Sequence, residues 1–292
     1  MKPLPRKGAA LDAFRALHRY GQNFLIDRGV LEDIATRAAI GAEDVVLEIG
    51  PGQGVLTRAL LDRGCAHLHA VEIDERLRET LEALASREPR LSLHWGDALR
   101  VDCGALTPFP GKVVANIPYN ITTPLIWALL PLAARGLRYH LYMVQKEAAD
   151  RLTAEADTKE RYPLGVTLEA MGTVERVRRV PPSCFRPRPR VDSAVIEIVL
   201  SRNFHLMEDG VWSALLHRAF AQRRKTLLNN LKGLSLGFGL GDGDAAAWEA
   251  LLEATDIDPR SRAEDLPGTD WLRLYELSRT RLVGAASGSD DA

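Results

Sequence analysis

Residues 45–54 read Val-Val-Leu-Glu-Ile-Gly-Pro-Gly-Gln-Gly, a short apolar run that leads into glycines at positions 50, 52 and 54. The run predicts a buried strand, and the glycines after it permit a tight turn with close approach of a ligand to the backbone. In open α/β sheets, ligands bind beyond the carboxyl ends of the strands. We therefore expect the ligand site of this chain around Gly50 and Gly52.

Three acidic residues, Glu48, Glu72 and Asp97, end successive predicted strands near this turn. Glu72 follows Gly50 by 22 positions, a spacing typical of a carboxylate that binds the hydroxyls of a ribose. A nicotinamide-dependent dehydrogenase has a similar turn, but its pyrophosphate favours a helix N-terminus without nearby carboxylates. An acid-lined crevice favours a cationic ligand instead. S-adenosylmethionine, which carries a sulfonium and an ammonium group, fits both the turn and the acids.

A second informative stretch is Asn116-Ile117-Pro118-Tyr119, which follows an apolar run and so lies just past the end of another predicted strand. The side-chain carbonyl of Asn116 and the main-chain carbonyl of Ile117 can each accept one N–H of an exocyclic amine. Pro118 favours an extended conformation at Ile117 and helps to aim that carbonyl outward. Tyr119 offers a flat ring on which a base stacks. The alternative is an ordinary strand-to-loop turn with Tyr119 in the core.

Seven segments of the chain together resemble the motifs of ribosomal RNA adenine N6,N6-dimethyltransferases. The match runs in order from about residue 20 to residue 280, and the last two segments point to the bacterial small-subunit (16S) branch. The chain departs from the family pattern in two places. These are Arg190, where lysine is usual, and an atypical segment at 161–165, and neither takes part in the predicted chemistry. The seven segments are Gly21–Leu25, Glu48–Gly54, Gly96–Leu99, Asn116–Ile121, Pro181–Ser193, Phe220–Leu231 and Asp256–Glu264.

The resemblance implies roles for the residues of the cofactor site. The turn at Gly50 holds the methionine end, Glu72 holds the ribose, and Asp97 accepts a hydrogen bond from the adenine amine. Glu48 is predicted to support the glycine turn. The alternatives are that Glu72 and Asp97 are solvated strand-end acids and that Leu25 is a core residue. The predicted cofactor-binding residues are Asn23, Leu25, Gly50, Gly52, Glu72, Ile73, Asp97, Ala98 and Asn116.

The predicted chemistry is methylation of an adenine N6. Accepting both N–H bonds of the amine favours the pyramidal geometry that frees its lone pair, so no strong base is needed. The adenine must leave its stack, and the resemblance implies that Phe185 supplies a second ring for it; the alternative for Phe185 is a core position at a proline-rich corner. The predicted catalytic residues are Asn116, Ile117, Pro118, Tyr119 and Phe185.

The composition is that of an ordinary globular protein, with 292 residues, a formal net charge of −1 and 46% hydrophobic residues. Its three cysteines include no C-x-x-C pair, so they predict neither a disulfide framework nor a zinc site, and we expect no metal. The N-terminus lacks the apolar segment of a signal peptide, and the most apolar stretch is too short to span a bilayer. We expect a cytoplasmic protein with no membrane partner.

Positive charge is concentrated in three blocks of this nearly neutral chain. Residues 1–19 contain a single acid, and residues 176–190 and 218–232 contain none. Such blocks imply a one-sided positive potential, which favours a nucleic-acid phosphate backbone over a merely solvated surface. The predicted RNA-binding residues are Arg186, Arg188, Arg190, Arg223, Arg224 and Lys225.

Strands and helices alternate from residue 44 to residue 154, which predicts a parallel sheet covered on both faces. Strands near 172–180 and 192–200 are joined by a loop and are expected to be antiparallel. The resemblance implies a Rossmann-like class I methyltransferase fold with seven strands and a small helical C-terminal domain. The predicted domains are a basic arm with the cofactor-closing motif (1–26), an S-adenosylmethionine-binding catalytic domain (27–204), a helical RNA-binding domain (205–282) and a disordered acidic tail (283–292).

The function that the resemblance implies is S-adenosylmethionine-dependent dimethylation of two adjacent adenines in the 3′-terminal hairpin of 16S ribosomal RNA, linked to small-subunit biogenesis. The expected partner is 16S RNA in small-subunit particles, and the protein is expected to be a monomer that does not act on DNA. Two alternatives stay open. One is an assembly factor whose methylation is secondary, against which the intact Asn116 and glycine motifs argue. The other is a large-subunit methylase, against which the C-terminal segments argue.

Overall fold

The computed structural model describes residues 23–118, 120–208, 210–234 and 245–286. Tyr119, the basic block at 1–19 and a glycine-rich loop predicted at 237–243 lie outside these residues. The last helix runs to Ala286, so residues 283–286 of the predicted acidic tail are helical. No helix in the described part of the chain combines the length and the apolar character needed to cross a membrane.

Nine strands and ten α-helices are found in the described residues. The strands are β1 (Phe24–Leu25), β2 (Val45–Ile49), β3 (His67–Glu72), β4 (Leu91–Trp95), β5 (Lys112–Asn116), β6 (Tyr139–Gln145), β7 (Gly172–Val180), β8 (Phe185–Arg186) and β9 (Ser193–Leu200). The helices are α1 (Arg28–Arg37), α2 (Val55–Asp62), α3 (Arg78–Ala85), α4 (Thr122–Leu129), α5 (Lys146–Leu152), α6 (Pro163–Met171), α7 (Val211–Ala219), α8 (Leu227–Leu231), α9 (Ala245–Ala254) and α10 (Gly268–Ala286).

Seven of the strands form one sheet in the order β4-β3-β2-β5-β6-β9-β7. The neighbours from β4 to β6 are parallel, whereas β9 runs antiparallel to both β6 and β7. The predicted seven-stranded, mostly parallel sheet is therefore confirmed, as is the antiparallel pairing of β7 with β9. Because the parallel strands end at one edge, the segments that follow β2, β3, β4 and β5 meet there.

Side chains from the two faces of the sheet enter two hydrophobic layers. Leu47 and Val113 pack into the layer that contains α4 and α6, and Val46 and Leu68 pack into the layer that contains α1 and α2. Burial of both faces explains why these strands read as continuous apolar runs instead of alternating patterns. This packing holds the strand ends, and the residues after them, in fixed positions.

Two helices that the spacing of apolar residues predicts, at 122–134 and 224–232, differ from the observed ones, and one observed helix is not predicted. The sequence patterns do not predict α6, because its residues are buried nearly all round and show no apolar stripe. The predicted helix 122–134 is an α-helix only to Leu129 and continues as a 3-10 helix, because Pro131 has no N–H to extend the α-helical pattern. The predicted helix 224–232 starts at Leu227, where Thr226 accepts a capping hydrogen bond.

The C-terminal helices pack onto the same layer as α4 and α6. Trp212, Trp248 and Trp271 are fully buried there, and Nε1 of Trp212 donates to Oγ1 of Thr167 in α6 at 2.9 Å. A single hydrophobic cluster thus runs from the sheet into α7, α9 and α10. The division of the chain at residue 205 stays a prediction.

Arg161 lies in the atypical segment noted in the sequence, and it links α6 to the C-terminal region. Its side chain is 1% exposed and forms an ion pair with Glu169 at 2.5 Å. Its guanidinium also donates to the carbonyl oxygens of Ala154 at 2.8 Å and of Leu266 at 3.3 Å. Glu169 in turn accepts a hydrogen bond from the main-chain N–H of Gly268. Arg161 therefore holds the start of α10 against α6.

We expect Arg161→Ala to lower the free energy of unfolding by about 3 kcal/mol, because it leaves the carbonyls of Ala154 and Leu266 without this donor and removes the ion pair to Glu169. The matched control is Arg151→Ala, since Arg151 forms an ion pair with Glu147 on an exposed helix surface. Such a pair contributes about 0–1 kcal/mol. Urea unfolding of both variants tests the difference, and equal stability of the two would contradict it.

Candidate functional site

A cavity of about 290 Å³ opens where β2, β3, β4 and β5 end together. Most of the residues predicted from the sequence for the cofactor and the reacting amine line this one cavity. The predicted residues that line it are Asn23, Gly50, Gly52, Glu72, Ile73, Asp97, Ala98, Asn116, Ile117 and Pro118. The lining residues that the sequence analysis did not single out are Phe24, Ile49, Val71, Gly96, Asn120 and Ile121.

Glycine is required in the turn after β2. Gly50 and Gly52 have φ angles of 70° and 57°, in the left-handed region that favours glycine. A Cβ on Gly52 would also lie 3.0 Å from Cε1 of Phe24. The N–H of Gly50 donates to the carbonyl of Val71 at 2.9 Å, which ties the turn to β3. The turn therefore exposes its backbone to the cavity without side chains in the way.

Glu72 is buried at the end of β3 and supports the glycine turn directly. Its Oε2 accepts the N–H of Gly52 at 3.0 Å, and its Oε1 accepts the N–H groups of Ile73 and Asp74, each at 2.9 Å. Burial raises the pKa of this carboxyl, and the hydrogen bonds from the backbone offset part of that rise. The position of Glu72 follows from the sequence pattern, whereas its hydrogen bonds to the turn do not.

Glu48 does not have the supporting role that the sequence suggested. It is 1% exposed, and neither of its carboxyl oxygens has a hydrogen-bond partner in the described part of the chain. Burial raises the pKa of its carboxyl from 4.5 to about 8. The nearby Thr57 hydroxyl lowers the pKa of Glu48 and so offsets part of this rise. The negative charge of Glu72 raises the pKa further. Glu48 is therefore largely protonated at neutral pH.

The raised pKa of Glu48 predicts a pH-dependent stability. Between pH 4.5 and about 8 the unfolded chain releases this proton whereas the folded chain keeps it, so the free energy of unfolding falls as pH rises. Glu48→Gln replaces the titrating carboxyl with a neutral amide. The variant should therefore be more stable than wild type at pH 7.5, by a few kcal/mol at most. Near pH 4.5 the two proteins should differ little. Urea unfolding at both pH values measures this, and a difference that is independent of pH would contradict it.

Acidic and apolar groups continue the cavity on the side of β3 and β4. The Asp97 side chain is 37% exposed, and its Oδ1 accepts the N–H of Leu99 at 3.0 Å. Ile73 is 43% exposed and presents apolar surface beside it. A carboxylate acceptor next to an exposed apolar side chain suits a flat base that carries an amine.

The Asn116–Pro118 segment closes the other side of the cavity. Nδ2 of Asn116 donates to the main-chain carbonyl of Asn23 at 3.0 Å, and Ile117 continues the pairing with β6 through its N–H. Oδ1 of Asn116 and the carbonyl oxygen of Ile117 accept no hydrogen bond from any residue that the structure describes. Two unpaired acceptor oxygens thus lie on neighbouring residues of the cavity wall. The predicted stacking ring of Tyr119 lies outside the described residues.

The N-terminal motif reaches the cavity through a pairing that the sequence analysis did not predict. β1 pairs antiparallel with β8, so that Phe24 lies opposite Arg186 and Leu25 opposite Phe185. Leu25 is buried in the core and does not line the cavity, whereas its neighbour Phe24 does. Phe185 is only 3% exposed. Its role as a stacking ring stays a prediction, and in this conformation the ring is covered.

The predicted RNA-binding residues fall into two groups. Arg188, Arg190, Arg224 and Lys225 are exposed and form no ion pair with any described residue, and Arg186 is exposed on β8. Arg223 instead forms an ion pair with Glu264 at 2.5 Å. Arg223, Arg224 and Lys225 lie in the turn between α7 and α8 and not on a helix. The neighbouring Arg176, Arg178 and Arg179 pair with Asp150, Asp33 and Asp192 respectively.

The strand order, the glycine turn after β2 and the acids after β3 and β4 define a class I methyltransferase that uses S-adenosylmethionine. The residues fit this cofactor, because Glu72 and Asp97 line a cavity suited to a cation. Among known families, the chain belongs to the ribosomal RNA adenine dimethylases, whose family model matches residues 13–279. The predicted family, fold class and cofactor are thus confirmed.

The similarity of the chain to individual proteins supports its place in this family. The chain is 42% identical over 260 residues to Ribosomal RNA small subunit methyltransferase A of Chromobacterium violaceum, covering 88% of this chain and 93% of the relative. The protein of the same name from Laribacter hongkongensis is 44% identical over 261 residues, with the same coverage of 88% and 93%. These relatives match nearly their whole length.

Solved structures show the same architecture. A dimethyladenosine transferase from Plasmodium falciparum superposes with a TM-score of 0.74 at 27% identity, covering 88% of this chain and 98% of the other. The 23S rRNA methyltransferase ErmE superposes with a TM-score of 0.64 at 27% identity, covering 89% and 100%. The likeness therefore extends over the C-terminal helices as well as the sheet.

Proposed function

We propose that this enzyme transfers methyl groups to N6 of two adjacent adenines in the 3′-terminal hairpin of 16S ribosomal RNA, within small-subunit particles. The observation that carries the proposal is the pair of unpaired acceptors, Oδ1 of Asn116 and the carbonyl oxygen of Ile117, on the wall of an acid-lined cavity. The relatives named Ribosomal RNA small subunit methyltransferase A support the small subunit as the source of the RNA.

The proposed chemistry depends on proximity and orientation. S-adenosylmethionine supplies an activated methyl group on a sulfonium. Asn116 and Ile117 accept the two N–H bonds of the adenine amine and hold its lone pair towards the cavity. Pro118, directly after them, restricts the backbone at Ile117 so that its carbonyl keeps this direction. The proton of the amine becomes acidic only as the new bond forms, so no strong base is required.

We assign the cofactor to the cavity as the sequence predicted. Glu72 has one remaining acceptor position on Oε2 for a ribose hydroxyl, and Asp97 accepts from the adenine amine beside Ile73 and Ala98. The turn at Gly50 and Gly52 lies against the methionine end. Asn23 closes the cavity from the N-terminal side.

The decisive experiment is mass spectrometry of RNA from purified small-subunit particles that lack the modification, after incubation with the enzyme and S-adenosylmethionine. We expect two adjacent N6,N6-dimethyladenines near the 3′ end. Particles of the large subunit, incubated in parallel, provide the control because ErmE acts on 23S RNA by its name. Methylation confined to large-subunit RNA would reject the proposed target.

The exposed cations near the cavity and on the α7–α8 turn form the proposed RNA surface. Replacing Arg224 and Lys225 with alanine should weaken particle binding and reduce its log–log salt slope by roughly 0.7–0.9 per lost phosphate contact. Removing two other exposed cations, Arg87 and Lys159, provides a control of equal charge. Affinity measured at several salt concentrations gives the slope, and identical slopes in both double variants would contradict the assignment. Arg223 is left unchanged because it pairs with Glu264.

Two further expectations accompany this proposal. Since the proposed substrate is an assembling small subunit, we place the reaction in the cytoplasm. We also propose that the enzyme acts as a monomer, which light scattering of the purified protein tests.

A further inference from the structure

The side-chain amide of Asn116 has a fixed orientation in this structure. Nδ2 lies 3.0 Å from the main-chain carbonyl oxygen of Asn23. A carbonyl oxygen can only accept a hydrogen bond, so the amide nitrogen must face Asn23 and Oδ1 must point away from it. Asn116 is half-buried at the end of β5, and both residues line the cavity.

We infer that the main-chain carbonyl of Asn23 is a positioning group, which turns the Asn116 amide so that Oδ1 faces the target amine. This inference rests on the proposed function, because it assumes that Asn116 accepts from adenine N6. A freely rotating amide would present its NH2 group to the adenine amine in part of the population, and two donors repel. One hydrogen bond from the N-terminal motif removes that unproductive orientation.

The position of this carbonyl is set by the pairing of β1 with β8. The register places Phe24 opposite Arg186 and Leu25 opposite Phe185. One residue further on, the N–H of Ile26 donates to the carbonyl of Cys184 at 2.8 Å. Gly52 packs closely against the Phe24 ring, since a Cβ atom added to Gly52 would lie only 3.0 Å from it. The glycine turn therefore supports the same segment. The chain next to Asn23 is thus held on two sides.

This arrangement distinguishes asparagine from aspartate at position 116. If residue 116 only had to accept hydrogen bonds from the amine, an aspartate would serve as well as asparagine. Facing the Asn23 carbonyl, an ionised aspartate has no proton to donate and its oxygen repels the carbonyl oxygen. A protonated aspartate can donate its O–H to Asn23 while its other oxygen accepts from N6. The two protonation states therefore differ in their ability to replace Asn116.

The test is the pH profile of Asn116→Asp in single-turnover methylation of small-subunit particles at saturating S-adenosylmethionine. Rates are divided by the wild-type rate at each pH, because the carboxyls of Glu48 and Glu72, whose pKa values are raised by burial, are present in both proteins. We expect the ratio to be about 0.01 at pH 8 and to rise at least tenfold towards pH 5.5. Asn116→Ala provides the control, since its ratio should stay low and flat. Calorimetry with S-adenosylmethionine checks that both variants bind the cofactor.

The outcomes separate the two proposals. If Asn116→Asp matches wild type at every pH, or stays inactive at every pH, the positioning role of Asn23 is overturned while the proposed function stands. If Asn116→Ala is fully active, Asn116 does not hold the amine and the positioning role fails, whereas the proposed function fails only if wild type methylates no adenine.

A second pair of variants tests whether the pairing of β1 with β8 holds Asn23 in place. Both change Ile26, which does not line the cavity. Ile26→Pro removes the N–H that donates to Cys184, and Ile26→Ala keeps that N–H while removing most of the exposed side chain. We expect kcat to fall about tenfold for the proline variant only, with a smaller change in the KM for RNA. Equal kcat values for the two variants would overturn the inference.

Discussion

Asn116→Ala should lower the single-turnover rate of methylation by on the order of 100-fold while changing RNA affinity less than threefold. The residue contributes one of the two unpaired acceptors of the cavity wall, and alanine leaves the amine held by the Ile117 carbonyl alone. RNA affinity depends instead on phosphate contacts over a wider surface. The comparison requires single-turnover rates and a direct binding assay on the same particles.

Retained turnover would show that the Ile117 carbonyl suffices to hold the amine. Equal losses of turnover and of RNA affinity would show that Asn116 maintains structure and does not present N6. The hydrogen bond to Asn23 makes this second outcome a real alternative, because its removal loosens the N-terminal motif. A melting temperature equal to that of wild type would exclude it.

Glu72→Ala should weaken S-adenosylmethionine binding by about 100-fold, because a buried carboxylate makes charge-assisted hydrogen bonds to ribose hydroxyls. The structure adds a second effect. Three main-chain N–H groups, those of Gly52, Ile73 and Asp74, lose their acceptor, so the glycine turn should also become less stable. We therefore expect a lower melting temperature as well as a lower affinity.

Calorimetry and thermal unfolding with and without cofactor separate these two effects. Glu75→Ala is the matched control, since Glu75 lies just beyond the same strand but forms an exposed ion pair with Arg78. It should bind the cofactor as wild type does. A folded Glu72→Ala protein with unchanged affinity would refute the assignment of Glu72 to the ribose.

Much of the cavity was predictable because its residues follow strands. Apolar runs mark β2, β3, β4 and β5, and parallel strands end at one edge of a sheet. Gly50, Glu72, Asp97 and Asn116 each lie at the end of such a run or within two residues after it, so their meeting follows from the local pattern. Ile49 and Val71 line the same cavity but carry no such signal, since they read as ordinary strand residues.

Short or uniformly buried elements were not predictable from local patterns. β1 and β8 have two residues each, too few for any alternation, and their pairing joins segments about 160 positions apart. Helix α6 lacks an apolar stripe because it is covered on nearly all sides. The boundary of the helical domain and the roles of Phe185 and Tyr119 stay predictions.

The sequence by itself determined the sheet, the glycine turn and the acidic and amide groups at the strand ends, because these depend on residues that are neighbours along the chain. Only the tertiary structure decided which charges and hydrogen bonds are already satisfied. It pairs Arg178 with Asp33 and Arg223 with Glu264, although both arginines lie in acid-free stretches of sequence. It also turns the Asn116 amide through a carbonyl 93 positions away. Ion pairs and hydrogen bonds act over a few ångströms, so their partners are set by the fold and not by proximity in the sequence.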